Sequence, residues 1–521
     1  MRRLRVITLG CSKNTVDTEH LLAQLPAASW EIIDRDAPVD VLLLNTCGFI
    51  GDAKEESVNA ILEAVEAKKR GEVGELVVFG CLSQRYAAEL PAEIPEVDAW
   101  FGARDLAPVL RHLGVEPGPL TSRWMPRAQS YAYLKISEGC DRRCSYCAIP
   151  FIRGPHRSVP MEDLVAEARS LAARGVRELI LIAQDTTYYG LDLYGRRALA
   201  ELLERLSAVE GIVWIRIHYS YPADFPEDVL QVMASDPKVC RYLDIPLQHI
   251  ADGMLERMHR HVDGAWTRAL IAKLRAEVPG VALRTTMIVG HPGETEEEFA
   301  ELLDFVREAR FERLGAFTYS EEEGTWGAKH LRDDVPEEVK RERLDRLMEL
   351  QRDISLAYNQ SRVGTELTVL IDDFLPSGSA GSALPAAEVF QTGGPELFSG
   401  QVCRKTNSGS AGSALPAAEV FQTGGPEWVG EGSLSEAMSS SDDRPGPGTL
   451  PRAKSERDLR DAGGSGDMPP YWAVCRSEFE SPEVDGEILL RHPDPSLRVG
   501  DLVRVRIVAA EDYDLIADPV G

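Results

Sequence analysis

Short apolar runs and amphipathic stretches alternate along most of this chain. Residues 3–9 read as a buried strand that stops at Gly10-Cys11-Ser12-Lys13-Asn14. A helix follows, capped by Asn14 or Thr15, with Val16, Leu21, Leu22 and Leu25 as its apolar positions. Residues 40–44 form a second strand ending in Asn45-Thr46-Cys47-Gly48, and 75–79 a third ending in Gly80-Cys81. Between them, 55–69 sets Val58, Ile61, Leu62 and Val65 on one face of a helix. Strands alternating with helices predict a parallel α/β sheet, with its ligand crevice outside the carboxyl ends of the strands.

The same alternation returns over 131–320. Strands are expected at 132–137, 178–183, 213–219, 242–246, 281–289 and 315–319. Helices are expected at 161–174, 197–209, 226–235, 252–258, 265–277 and 295–309. Six βα units predict a partial barrel, open at one side, whose working face lies at the carboxyl ends of its strands. A charged helix over 336–361 connects to a run of short strands at 366–372, 471–475, 486–490, 501–508 and 513–517. These close a small β-barrel. Its first hairpin is interrupted by 376–470, where Gly, Ser, Ala, Pro and charges dominate and predict disorder. Within that insert SGSAGSALPAAEVFQTGGPE at 377–396 recurs letter for letter at 408–427. A long loop adds little closure entropy, so the barrel is expected to survive it.

Composition narrows the partners and the compartment. There are 57 basic and 84 acidic residues, a formal charge of −27. Such a balance repels phosphate backbones overall and favours a basic partner. Nine cysteines are too sparse for a disulfide scaffold in 521 residues, and their clustering points to metal ligation in a reducing compartment. No apolar run approaches the ~18 residues of a membrane span. A cytoplasmic protein is expected.

The cysteines carry the chemistry. Cys140, Cys144 and Cys147 stand within eight positions, with three residues in the first gap and two in the second. Thiolates are soft ligands that suit iron–sulfur clusters and zinc, but a structural zinc site wants four protein ligands. His156 is the nearest fourth candidate. Three ligands leave one iron of a four-iron cluster open. Cys11, Cys47 and Cys81 each close a predicted strand of the first sheet, so they gather on one edge and form a second three-thiol set. A single such cysteine reads as a small buried hydrophobe; three at equivalent strand ends read as a site.

The Cys-x3-Cys-x2-Cys stretch, with Tyr146 before its last thiol, resembles the radical S-adenosylmethionine (SAM) enzymes. LGCSKNTVDTEHL at 9–21, NTCGFIGDAKEES at 45–57, EGCDRRCSYCAIPFIRG at 138–154, YLDIPLQH at 242–249, IVGHPGETEEEF at 288–299 and YSEEEGTWGA at 319–328 resemble the methylthiotransferases of that superfamily. The resemblance covers everything but the insert. It implies a methylthiotransferase amino-terminal domain at 1–120, a radical SAM (βα)6 partial barrel at 131–335, a helical connector at 336–361, and a TRAM β-barrel from 362–375 plus 471–521. It further implies a 4Fe–4S cluster on Cys140, Cys144 and Cys147, and an auxiliary 4Fe–4S cluster on Cys11, Cys47 and Cys81. Two SAM molecules are consumed per turnover, and an electron donor such as a flavodoxin or ferredoxin is required. Tyr146, Gln184, Asp185, Arg216, Gly290 and Glu294 are the implied cofactor contacts, with a buried ion-pair role as the equal alternative for Arg216. Cys240 reads as core and Cys403 as a free thiol in the insert. Cys475 stands where the family has Gly, which puts the local barrel turn in doubt.

Two branches of the family differ in substrate. AQDTTYYGLDLYG at 183–195 and RVRIVAAEDYDLIADP at 504–519 resemble the branch that methylthiolates the β-carbon of an aspartate in the small-subunit ribosomal protein at the decoding centre. The terminal barrel agrees on physical grounds: 366–375 plus 471–521 hold 14 acidic and 5 basic residues. A barrel gripping tRNA is expected to be basic, whereas an acidic one suits a basic ribosomal protein. Modification of a tRNA adenosine and non-catalytic ribosome binding are the competing readings.

Overall fold

The structure, a computed structural model, describes residues 1–33, 37–375 and 472–520. The amino-terminal sheet contains β1 (Arg2–Thr8), β2 (Trp30–Ile32), β3 (Val39–Thr46), β4 (Val73–Gly80) and β5 (Ala99–Trp100). All pair in parallel, in the order β2-β1-β3-β4-β5. Val41, Leu43, Val77 and Phe79 enter one apolar layer, while Leu42, Leu44, Leu76 and Val78 enter the other. Both faces are covered, which is why these strands read as unbroken apolar runs. β2 and β5 are too short to show a period and escape the sequence pattern. Helix α1 (Ser12–Ala23) starts earlier than a cap at Asn14 or Thr15 predicts, with Cys11 at its N-cap. Asn14 is otherwise engaged. Buried, it donates to the carbonyls of Leu9 (2.7 Å) and Thr46 (3.2 Å), tying the ends of β1 and β3 together.

The second sheet begins with β6 (Tyr131–Lys135), followed by a small antiparallel pair, β7 (Ser137–Glu138) and β8 (Arg157–Ser158). It continues with β9 (Glu178–Ile182), β10 (Trp214–Ile217), β11 (Val239–Asp244), β12 (Ala282–Val289) and β13 (Arg313–Thr318). The order β13-β12-β11-β10-β9-β6 is parallel throughout and leaves β13 and β6 as free edges, so the barrel is partial. Its outer face supplies Leu134, Leu179, Leu181, Ile215, Ile217, Leu243 and Leu283 to the large core beneath the helices.

The inner face mixes apolar Ile180 and Ile182 with buried charges such as Glu178 and Arg216, and the chain fills it from elsewhere. β14 (Glu366–Leu375), β15 (Trp472–Arg476), β16 (Ile488–Arg491), β17 (Leu502–Ala510) and β18 (Leu515–Pro519) close a five-stranded barrel. Its loop 477–485 enters the partial barrel. Ser481 meets His218 Nε2 at 2.8 Å, and Glu483 accepts from the hydroxyls of Tyr131 (2.8 Å) and Tyr133 (2.7 Å). Glu480 pairs with Arg313 at 3.2 Å, and Asp485 lies 3.6 Å from Arg284. Beneath them Glu178 holds two buried guanidiniums, Arg216 at 2.7 Å and Arg476 at 2.8 Å. Buried charges persist only when paired in this way. Cys240 lies in an apolar cluster with Trp214, Tyr242, Ala282 and Leu370, as expected of a core thiol.

β14 and β15 pair across the insert, antiparallel, from Leu370–Arg476 to Leu375–Trp472. Cys475 is fully buried in the small barrel's core and β15 stays in register with β16, so the departure at this position leaves the turn formed. The disorder expected over 376–470, and Cys403, lie outside the described residues.

Two outcomes test the filled lumen. Replacing Glu178 by Ala leaves Arg216 and Arg476 buried against one lost carboxylate, and should destabilise the apo protein by about 3–5 kcal/mol in urea denaturation. His218 supplies a pH signature. Burial first, then Arg284, Arg216 and Lys13, hold its pKa down to about 3 against the pull of Asp244. The folded state therefore keeps it neutral, so its share of stability is complete above pH ~6.5 and falls as pH drops toward 3. The expected slope is about 1.4 kcal/mol per pH unit, and His218→Gln should flatten it between pH 6.5 and 5.

Candidate active site

The adjacency of β1, β3 and β4 brings the first three cysteines together. Each closes one of these parallel neighbours: Cys11 at the start of α1, Cys47 after β3, and Cys81 opening the short helix Cys81–Arg85. Burial, with Cys81 and Cys11 as neighbouring charges, pushes the Cys47 thiol up to about 12. Burial likewise raises Cys81 to about 11, against the guanidinium of Arg153. Gly10 has φ +89° and passes so near that a Cβ there would lie 3.0 Å from Cys47 Sγ. No side chain fits at that position.

The second set lies in the turn-rich segment after β7. Cys147 N–H donates to Cys144 O at 3.1 Å, and Cys140 N–H to Gly154 O at 3.0 Å, which folds the loop on itself. Burial pushes Cys140 up to about 12 and raises Cys147 further, with Cys144 adding to both. Thiols held so high ionise at neutral pH only when a cation binds them. Arg260 Nη1 stands 3.4 Å from Cys144 Sγ.

The two sets meet across a seam between the sheets. Helix α1 packs Val16 onto Tyr133, Ile180 and Ile182, covering the inner face of β6 and β9. Arg153, which caps the short helix Ile149–Ile152 after the second set, crosses back to the first: its Nε lies 3.2 Å from Cys81 Sγ. The same guanidinium reaches Asn14, Asp17 (2.7 Å) and Glu138 (3.0 Å). Lys135 pairs with Asp17 and, at 2.8 Å, with Glu138. Burial raises the Glu138 carboxyl, but Arg153 and Lys135 outweigh it and hold it well below the usual range. On the far side, Tyr219, Ser220 and Tyr221 run between the sets. Tyr219 lies under Lys13 Nζ, 3.1 Å from the ring centroid. Tyr221 is flanked by the guanidiniums of Arg142 (4.1 Å) and Arg260 (4.3 Å).

The implied cofactor contacts fall into two groups. Tyr146, Gln184 and Asp185 surround the second set. Tyr146 is packed by Met254, Met258 and Ala251, with Arg260 at 3.5 Å from its hydroxyl. Gln184 donates to Glu138 at 2.8 Å, and Asp185 accepts from Arg142 at 3.0 Å. The other three have their polar groups engaged by neighbouring side chains and backbone. Arg216 is taken by Glu178 and the carbonyls of Glu478 (2.8 Å) and Ser477 (3.3 Å), the ion-pair alternative. Gly290 donates to Glu294 at 2.6 Å, and a Cβ on it would strike Lys340 at 2.3 Å. Glu294 is held by His249 (3.0 Å) and Arg343 (2.6 Å). His156, the possible fourth ligand, bonds Ser158 at 3.0 Å.

The sequence reading missed Arg142, Arg153, Arg260, Asp17, Glu138 and Lys135. Their signal was charge placed inside otherwise apolar or turn segments, as in Phe151-Ile152-Arg153-Gly154, but hydrophobic period cannot say which charges are buried.

The donor chemistry fits two iron–sulfur clusters. Each set offers three soft thiols and a guanidinium against one sulfur, which stabilises thiolate charge. Among the described residues no group of three His, Cys, Asp or Glu side chains is placed to hold a single metal ion. Buried polar atoms without a hydrogen-bond partner among the described residues gather around the second set: Gln184 Oε1, Arg142 Nη2, Arg260 Nε and Gln248 Oε1. Such orphans are expected where a polar ligand binds.

Gly139 tests the loop. Its φ is +78°, and a Cβ would sit 2.1 Å from Pro155 O. Gly139→Ala should shift Cys140 and lower the iron retained after anaerobic reconstitution, measured per chain, by about half.

Residues 134–306 match the Radical SAM superfamily, 3–102 match the uncharacterized protein family UPF0004, and 467–520 match the TRAM domain. The ribosomal protein uS12 methylthiotransferase RimO of Phocaeicola vulgatus is 42% identical over 516 residues, 98% of each chain. The protein of that name from Porphyromonas gingivalis is 57% identical over 378 residues, 71% of this chain and 87% of that one. Among solved structures, the radical S-adenosylmethionine methyltransferase TsrM from Kitasatospora setae aligns with a TM-score of 0.46 at 14% identity, covering 61% of this chain and 74% of that one. With two-fifths of its residues shared over nearly its whole length, the chain belongs to the RimO methylthiotransferase family of radical SAM enzymes.

Proposed function

We propose that the chain methylthiolates ribosomal protein uS12, placing a methylthio group on the β-carbon of an aspartate. The relatives are named for uS12. The reading rests chiefly on the way both thiol sets border one seam, linked by Arg153 on one side and by 219–221 on the other. One set alone serves radical chemistry in general; a second at the same seam supports insertion of sulfur. Cys140, Cys144 and Cys147 hold one 4Fe–4S cluster, and Cys11, Cys47 and Cys81 hold the other. When bound, the clusters and two molecules of SAM supply a carbon-centred radical, the sulfur and the methyl group.

The remaining work belongs to the chain's own residues. Arg153 and Arg260 balance thiolate charge on each side. Asp185 fixes Arg142, whose free Nη2 is available to an anionic group of the cofactor, and Gln184 Oε1 is available to a donor. Helix α1 above and the loop 477–485 below exclude water from the seam.

The domain bounds we adopt are 1–120, 131–335, 336–361 and 362–375 plus 471–521, with 376–470 as an insert. The acidic terminal barrel favours the basic ribosomal protein over tRNA. A flavodoxin or ferredoxin supplies electrons in a reducing, cytoplasmic setting. No helix among the described residues is long and apolar enough to cross a membrane.

Anaerobically reconstituted Cys47→Ala should still cleave SAM yet yield no methylthiolated uS12, whereas Cys144→Ala should do neither. Mass spectrometry of uS12 and chromatography of the cleaved nucleoside read both. Full product from Cys47→Ala would remove the two-cluster reading, and product on tRNA instead of uS12 would move the substrate.

A further inference from the structure

Lys13 is a buried cation without a counter-charge. It is 7% exposed, and its ammonium makes no hydrogen bond or ion pair among the described residues. It rests on the ring of Tyr219 and is close enough to His218 to act on it electrostatically. A cation–π contact offsets part of the desolvation but leaves the ammonium's three donors unused. The stem is buried while the ammonium keeps access to the seam, so its donors are open to an incoming group.

The carboxylates nearby are already taken. Asp17 and Glu138 are shared between Lys135 and Arg153, Asp185 serves Arg142, and Asp244 accepts from Arg284 at 2.9 Å and from Tyr219 N–H at 2.9 Å. The seam's carboxylates therefore leave two cations without one, Arg260, which stands against Cys144 Sγ, and Lys13, which has no thiol beside its ammonium.

Its position is fixed from both ends. Lys13 follows Cys11 by two residues on α1, beside the first thiol set. Tyr219, on which it rests, has φ +57°, a strained backbone pinned by Asp244 and by Thr186 N–H donating to Tyr219 O at 3.1 Å. Two residues on, a span of at most about 7 Å, Tyr221 lies against Arg260, which touches Cys144. The ammonium thus stands between the two thiol sets, where a substrate carbon must lie to meet chemistry from both.

We propose that Lys13 binds the side-chain carboxylate of the acceptor aspartate and makes the enzyme selective for an acidic acceptor. This assignment rests on the function proposed above. A carboxylate entering the seam supplies the missing partner and carries the adjoining β-carbon to a fixed place, one bond from the charge. A neutral amide offers the same shape with a weaker acceptor, so charge is what Lys13 selects.

The test is a charge cycle on the reconstituted holoenzyme. Wild type, Lys13→Met and Lys13→Arg are each given uS12 carrying either the native aspartate or asparagine, and binding affinity and kcat/KM are measured, with iron and sulfide content as the control for folding. Wild type should favour aspartate at least tenfold in both measures. Lys13→Met should lose about 100-fold on the aspartate substrate while changing little with asparagine, bringing the ratio near one; Lys13→Arg should restore part of it. An unchanged aspartate-to-asparagine ratio in Lys13→Met overturns the assignment. So does a rise in KM for SAM with that ratio intact, which would give the ammonium to the cofactor's carboxylate. If Lys13→Met fails to take up iron, the Lys13→Arg ratio and the wild-type preference decide: a wild type indifferent to the acceptor's charge refutes the proposal. Wild-type enzyme that leaves both forms of uS12 unmodified and unbound refutes the function itself.

Discussion

One guanidinium holds the two halves of this molecule in register. Arg153 emerges from the segment that carries Cys140, Cys144 and Cys147, yet its contacts are Cys81, Asn14 and Asp17 of the amino-terminal sheet, with Glu138 of its own side. Buried and forked, it is suited to several acceptors at once, which a lysine cannot match. Removing any acceptor leaves charge stranded, so the arrangement is specified as a unit. The distance between the thiol sets is therefore fixed by a shared ion network, and a reaction that hands groups between them needs such a fixed distance.

The same logic recurs beneath the seam. A partial barrel built of six parallel strands leaves its inner face open, and here that face carries buried charges. The loop 477–485 supplies partners to Arg216, Arg284 and Arg313, Arg476 just before it supplies one to Glu178, and Asp244 pairs with Arg284 inside the barrel itself. The small terminal barrel is thus structural for the large one.

Much of this was legible in the sequence because it follows local rules. Apolar runs named the longer strands of both parallel sheets to within a few residues, while the short β2 and β5 escaped them. The thiols at three strand ends were legible because sequence order and sheet order agree for β1, β3 and β4. Other features were not. The start of α1 was misplaced because Asn14, which looks like a cap, is used to tie two strands. Gly290 and Glu294 bond each other and His249, and the further contacts of Lys340 and Arg343 come from the connector helix Glu337–Arg362, far along the chain, where no local pattern reports them. Buried charges are set by tertiary contacts such as 153 with 81, and no periodicity reports them. The two thiol sets were legible because residue spacing and strand ends carry them, without need of tertiary contacts.

The hairpin that holds the insert has a consequence for synthesis. β14 leaves the ribosome before the insert, but Arg476 and the loop 477–485 follow it, separated by the 96 residues from 376 to 471. At about 5–20 residues per second, translation takes on the order of 5–20 s to cross that stretch. Throughout that interval the nascent partial barrel carries Glu178, Arg216 and His218 without their lumen partners. The catalytic half of the protein is translated long before it can be finished, and its last packing step waits on the chain's final fifty residues.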